Sequence, residues 1–414
     1  MSLGSLCLEE PCYGTSATAI ERTNDEQPKY IRITDFDDFG IEADHVYMTA
    51  ENYSSKHMLK SGDILFARTG ATVGKTYYYD GSIGDAVFAG YCIRFHFDSK
   101  KVIPKFVYWY TKTKNFSAWV KGIQRPSGQP NINKEEYKSY KITLPTAEKQ
   151  AALIALMDVA VKKRENRLQE ANKTLTEQGM FILNRLNIKM PIYSEQLACA
   201  VRLADIRADR TFSSDYYHPE RISLIHMMQS SQVSNTKKLN SVVDFHRDIV
   251  SSGESKMKYL GLAGVESNTG ELSGVEEDAA GQAFSYQKGD VLYGRLRPYL
   301  NKVLLADYEG ICSTEFHVMR VKSGVDLLPE YLAAIMRSPL ILSQTKHMMT
   351  GNTHPRISND DVQNLFIPVP ERAIQQAIVD ELVKRGEVAR ALKLEAEQEW
   401  IAAKVQFEKE LLKG

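Results

Sequence analysis

The spacing of hydrophobic and polar residues changes several times along this chain, and each change marks a different kind of element. KYIRIT (29–34), DILFAR (63–68), TYYYD (76–80) and AVFAGYCIRFHF (86–97) are rich in β-branched and aromatic residues and are separated by Gly, Asp and Ser, so they read as strands. PKFVYWYTKTKNFSAWV (104–120) reads as a helix. After Pro145 the pattern becomes that of one long helix, with no proline until Pro191. Ile154, Val161, Leu168, Leu175 and Ile182 recur every seven residues, and Met157 and Ala171 widen the same face, which is coiled-coil spacing. Strand-like runs return at KYLGLAG (258–264), DVLYGR (290–295), NKVLLA (301–306) and FHVMRV (316–321), ahead of a helical PEYLAAIMRSPLILSQ (329–344). A second long helix follows, its stripe running through Val379, Leu382, Ala389, Leu392, Ala396, Ala403, Phe407 and Leu411. Helices of about 35–40 residues rise roughly 50–60 Å. A narrow apolar stripe cannot be buried by one helix alone, so the two are expected to pack on each other. Arg164 and Gln178, polar members of the first stripe, leave room for a further partner helix.

The two halves of this pattern are copies of each other. Gly62-Asp63 opens SGDILFARTG and Gly289-Asp290 opens KGDVLYGRLR, a shift of 227 that also carries Arg68 onto Arg295 and Lys75 onto Lys302. At a shift of 225, IPKFVYWY (103–110) meets LPEYLAAI (328–335), and ITLPTAEKQAALI (142–154) meets IPVPERAIQQAIV (367–379). So constant a register over so long a span means a duplicated module, each copy a mixed α and β part followed by a long helix. Residues 194–238 have no counterpart in the first copy and read as an adaptor leading into the second, with Tyr216-Tyr217 and Pro219 packing ahead of a helix.

At 414 residues, with 43% hydrophobic and 25% charged residues, the composition is that of a globular protein of two or three domains. No stretch of apolar residues is long enough to span a membrane, and the N-terminal residues lack the features of a secretion signal, so a cytoplasmic location is expected. Cys7, Cys12, Cys92, Cys199 and Cys312 form no metal-binding spacing and read as reduced thiols; no metal is expected. Net charge is zero, yet residues 56–141 hold fifteen Lys and Arg against six Asp and Glu, while residues 21–51 hold nine acids against three bases. Residues 337–359 carry three bases, two histidines and no acid. Local basic faces on a neutral chain suit contact with a polyanion over a limited footprint.

Catalytic chemistry is hard to find. Gly74-Lys75-Thr76 matches the end of a phosphate-binding loop, but Thr69 stands where the leading glycine belongs, and a strand follows where a helix is required. No methyltransferase or nuclease motif is present, and acids and histidines are scattered without useful spacing. Binding chemistry, in contrast, recurs in both halves. Arg68 and Lys75, then Arg295, Arg297 and Lys302, flank a turn after a strand, where cationic groups can meet phosphates or a guanine edge. Two polar loops held by Gly and Pro follow. GIQRPSGQPNINK (122–134) offers Gln124, Arg125, Ser127, Gln129, Asn131, Asn133 and Lys134; MTGNTHPRISND (349–360) offers Asn352, Thr353, His354, Arg356 and Ser358. Their amides and guanidinium groups make the planar paired hydrogen bonds that base edges accept.

The paired GD-[IV]-L-[FY]-x-R starts, the two polar loops before Ile132 and Ile357, and the two I-x-[LV]-P-x4-Q-x-A-[LI]-[IV] helix starts together resemble the specificity (S) subunits of type I restriction-modification systems. The glutamate common before the Gln is replaced by Lys149 and Ile374. The resemblance implies an α+β fold with an internal pseudo-twofold repeat: two homologous mixed α/β target recognition domains separated by two long antiparallel helices forming a coiled coil. The corresponding divisions are residues 1–147, a central helix at 148–190, a second recognition domain at 191–370 that begins with an adaptor at 191–238, and a final helix at 371–414. It also implies a non-catalytic subunit that reads a bipartite, asymmetric sequence in double-stranded DNA. Two methyltransferase (M) subunits would dock on the helices and a restriction (R) subunit can join them. No cofactor is expected in this chain; S-adenosylmethionine, and ATP with Mg for restriction, would belong to those partners. An interaction scaffold that does not read DNA, and a nucleotide-using enzyme built on Lys75, remain the alternatives.

Overall fold

A computed structural model of the chain describes residues 1–42, 45–124, 130–191, 200–209, 212–252, 257–279, 281–351 and 353–413. These divide into two compact units, residues 1–168 with 394–414 and residues 169–393, so each unit holds one module together with parts of both long helices.

In the first unit, β1 (Cys12–Tyr13), β2 (Asp63–Ala67), β3 (Thr76–Tyr79) and β4 (Cys92–Phe95) form an antiparallel sheet in the order β1-β4-β2-β3. Every residue of β2 is buried because both faces of the sheet are covered. Ile64 and Phe66 join a core with Phe106, Tyr137 and Met157, whereas Leu65 and Ala67 face a second core with Tyr77 and Phe88. A strand buried on both sides has no polar alternation, which is why DILFA is a continuous apolar run. Helices α1 (Pro104–Tyr110), α2 (Lys114–Ile123) and α3 (Lys134–Ser139) follow, then α4 (Ala147–Arg185).

The second unit repeats this order. Its sheet, β5 (Val243–His246), β6 (Val291–Gly294), β7 (Val303–Leu305) and β8 (Phe316–Val321), runs β5-β8-β6-β7, again all antiparallel. Helices α5 (Pro329–Met336), α6 (Pro339–Thr345) and α7 (Asn359–Gln363) precede α8 (Arg372–Leu412). The likeness extends upstream of what the sequence repeat shows. Leu3 and Leu239 each open a four-residue helix, and their amides donate to the Tyr140 and Leu365 carbonyls at 2.9 and 2.8 Å. Within the expected adaptor, residues 203–209 and 219–229 are helical, and the strand Ser234–Lys238 pairs with Phe366–Pro370.

The helical runs 104–120 and 329–344 are each two helices, not one. Thr113 caps α2 by accepting the Phe116 amide at 3.3 Å, and Pro339, which has no amide hydrogen, starts α6. The first long helix also ends before Pro191. Asn187 takes a φ of +52°, and the Asn187 and Ile188 amides fold back on the carbonyls of Asn184 and Leu183 at 3.1 and 2.9 Å, a terminating turn.

The long helices pack antiparallel within each unit. In the first, Leu153, Met157 and Ala160 of α4 share a core with Trp400, Ala403, Phe407 and Leu411 of α8, and Arg167 binds Glu399 at 2.7 Å and also Glu395. In the second, Ile182 and Leu183 join Val379 and Leu382, and the Arg385 guanidinium lies 4.8 Å from the Phe181 ring. Of the expected stripe on α4, Met157, Ala171 and Ile182 are buried, while Ile154, Val161, Leu168 and Leu175 lie partly exposed. The buried line runs one residue away, through Leu153 and Ala160.

Candidate nucleic-acid interface

In both modules a strand of the main sheet ends in a turn that is bonded to a loop far along the chain. After β2, the Arg68 carbonyl accepts the Ile132 amide at 2.8 Å and the Gly70 amide donates to the Pro130 carbonyl at 3.0 Å. After β6, the Arg295 carbonyl accepts the Ile357 amide at 3.1 Å and the Arg297 amide donates to the Pro355 carbonyl at 2.7 Å. Thr69 bridges Asn131, and Leu296 bridges Arg356. The buried Ile132 and Ile357 anchor the two loops in the cores below, leaving the polar residues beside them at the surface. The turn residues and loop residues expected from the sequence are thus brought together in each module.

The same backbone carries different side chains in its two copies. Gly70 and Gly74 take φ values of +71° and +88°; the equivalent Arg297 and Asn301 take +50° and +51°. Such values cost little for glycine and more for other residues. Asn301 gains compensation, since its amide donates to Asn268 Oδ1 at 3.0 Å and to the Arg337 carbonyl at 2.8 Å. Arg297 gains one long contact, to the Thr353 carbonyl at 3.5 Å. A Cβ on Gly74 would stand 2.7 Å from Val120, so this glycine serves packing against α2. Thr76 begins β3 and not a helix, so Gly74-Lys75-Thr76 does not build a nucleotide-binding loop.

The remaining expected residues fall into distinct settings. The Arg68 guanidinium sits 4.8 Å from the Tyr13 ring, and Lys75 and Gln124 line a cleft beside the turn. Asn131 is exposed. Asn133 caps α3, accepting the Glu136 amide at 3.0 Å, and Ser358 caps α7, accepting the Asp361 amide at 3.1 Å. Lys134 pairs with Glu10 at 3.0 Å. Arg295 lies 4.0 Å from Glu315, and Arg356 grips the same carboxylate with contacts of 2.9–3.1 Å. Those bonds raise the Arg356 pKa and fasten its loop to the residue that precedes β8. Lys302 donates to the Leu262 carbonyl at 2.7 Å. Thr353 and His354 are exposed, while Arg125, Ser127, Gln129 and Asn352 lie outside the described residues. His317, behind the second loop, has its pKa pushed down to about 3, chiefly by burial and then by Arg295 and Arg247. Sequence reading missed Tyr13, Glu315, Lys112 and Lys404, whose neighbours at the site are far away in the chain.

Among the described residues, one group of potential metal ligands comes together: His218, Glu220 and His347. It is built as an ion-pair cap. His218 Nδ1 accepts the Glu220 amide at 3.3 Å, Glu220 binds His347 at 3.0 Å and Lys346 at 3.2 Å, and the two imidazoles stack 3.5 Å apart at 15°. Nearly parallel rings do not aim their lone pairs at one point. Cys7, Cys12, Cys92 and Cys312 are free thiols, and Cys199 lies outside the described residues. No helix among the described residues is long and apolar enough to cross a membrane.

A family model described as the type I restriction modification DNA specificity domain matches residues 4–174 and 254–395, covering each module with part of the long helix that follows it. The chain belongs to this specificity-domain family. Among its relatives, the type I restriction enzyme EcoDI specificity subunit of Escherichia coli is 22% identical over 286 residues, 66% of this chain and 61% of that protein. The HindI specificity subunit of Haemophilus influenzae is 32% identical over 116 residues, 27% of this chain and 25% of that protein. A solved chain from work on complex assembly and conformational transition of the type I R-M system is similar with a TM-score of 0.53 at 14% identity, over 100% of this chain and 96% of its own. That likeness is one of fold, and it extends over the specificity domains and the helices together.

Proposed function

We propose that this chain is the DNA-specificity subunit of a type I restriction-modification complex, each module reading one part of a bipartite, asymmetric duplex target. The observation that carries this reading is the twice-built union of turn and polar loop. Its backbone bonds are kept, while Gly70, Gly74 and Asn131 are exchanged for Arg297, Asn301 and Arg356. A fixed frame with exchangeable side chains suits recognition of two different base sequences. The chain itself is non-catalytic and cytoplasmic. Methyltransferase subunits that use S-adenosylmethionine dock on the long helices, and a restriction subunit using ATP and Mg joins them.

The test is duplex binding by the full chain with its methyltransferase subunits. Affinity should fall linearly with salt on logarithmic axes. Arg68→Ala and Arg295→Ala should each relax base preference in one half of the target only, by about 1–3 kcal/mol per lost base contact. Joined subunits without salt-dependent duplex binding would favour a scaffold that does not read DNA.

A further inference from the structure

Beside the first module's turn lies a cleft of about 420 Å³. Lys75, Lys112, Lys121 and Lys404 line it, against Asp38 as the one acid among the lining residues. Lys112 is buried, donates to the Thr76 carbonyl at 3.2 Å and lies 3.7 Å from Asp38. Burial lowers its pKa to about 8, with Asp38 and Asp37 acting the other way and Lys75 adding to the lowering, so an anion in the cleft would stabilise its charged form. Lys404 comes from α8, its ammonium 5.4 Å from the Trp400 ring, which also lines the cleft.

The second module has a cleft at the equivalent place, but without four lysines around it. The shift of 225 sets Lys112 against Arg337, Trp400 against Leu175 and Lys404 against Gly179. Leu175, Gly179 and Arg337 do line a cleft there, of about 250 Å³. No side chain can replace Lys404 without movement, because a Cβ on Gly179 would stand 2.7 Å from Pro339 Cδ. Lys302, the counterpart of Lys75, is engaged with the Leu262 carbonyl. Lys121 maps onto Lys346, which is paired with Glu220. Three of the four positions therefore keep a base in the second module, but of these Arg337 alone lines the cleft there, and Lys404 is what the first module adds.

We infer that this cleft holds a backbone phosphate of the duplex beside the first half-site, so that α8, the helix of the second repeat, helps to grip the DNA read by the first. The inference rests on the proposed reading of duplex DNA. A nucleic acid suits the cleft better than an acidic peptide because Gly70 and Pro130, the bonded pair that joins turn to loop, also line it. A duplex read at that turn brings its own phosphates there.

The test uses the full chain with its methyltransferase subunits, and duplexes with and without the target. Lys404→Gln and, separately, the exposed Lys121→Gln should weaken binding to every duplex alike, most at low salt, with the log–log salt slope shallower by about 0.9, so that the deficit shrinks roughly threefold between about 50 and 200 mM salt. Lys404→Arg should keep the parent slope. Parent affinity and slope in both glutamine variants would overturn the phosphate site while leaving the proposed function standing. So would unchanged DNA binding with loss of a protein subunit, which would assign the cleft to an acidic peptide. Absence of salt-dependent duplex binding in the parent would overturn the function and the inference together.

Discussion

Arg297 occupies a left-handed backbone position that the first module gives to Gly70, and among the described residues its side chain makes one weak hydrogen bond, to the Thr353 carbonyl. A non-glycine residue held there costs about 1 kcal/mol or more, and such strain concentrates at binding sites. Arg297→Gly should therefore raise stability in urea unfolding by about 0.5–1 kcal/mol, part of the gain being offset by the freer unfolded chain. The same variant should bind the duplex more weakly through the second half-site only. Greater stability with undiminished binding would remove Arg297 from the interface. Which residues gather at the turns was legible in the sequence, because Arg, Asn, Gln, Gly and Pro recur there at matching positions. What each side chain does was less legible. Asn133 and Ser358 look like base readers in a polar loop, yet both oxygens accept helix amides. Lys112 lies inside an aromatic run and Lys404 on the flank of a helical stripe, and no local pattern connects them.

At the level of elements, the sequence signals at Pro145 and Pro370 have a clear physical role. Gln150, five residues after Pro145, accepts the Ile103 amide at 2.9 Å and donates to the Pro145 carbonyl at 2.9 Å. Gln375 makes the same two bonds, to Leu328 and Pro370, at the same distances. Each side chain thus ties the first turn of a long helix to the start of the helix that covers the sheet. Gln150→Leu and Gln375→Leu should each cost about 2–3 kcal/mol in urea unfolding, since buried backbone groups lose their partners. The exposed neighbour Gln376→Leu should cost under about 0.5 kcal/mol. Similar small effects at all three sites would refute this role. The long helices themselves are legible from heptad spacing, but the buried seam passes through Leu153 and Ala160, one residue from Ile154 and Val161. Neighbouring apolar positions on α4 compete for the seam, and small Ala160 permits a closer helix approach than Val161 would. Short helices are not legible where a polar break, Thr111 to Thr113, lies inside an otherwise aromatic run.

Across the whole molecule, two units share one order of strands and helices and one set of backbone bonds between turn and loop, though their side chains have diverged. The duplication could be read from sequence where apolar strands, glycines and the Pro-to-Gln spacing constrain it. It could not be read at Leu3 and Leu239, because a single helical turn and two backbone bonds require little of the side chains that carry them. If each unit reads its own half of the target, the halves must be separable by exchange. The most direct measurement replaces residues 1–147 by the corresponding part of a family relative and maps methylated sites across the host genome. One half-site should change to that of the relative while the other is retained. A methylating complex in which both halves change, or neither does, would contradict it.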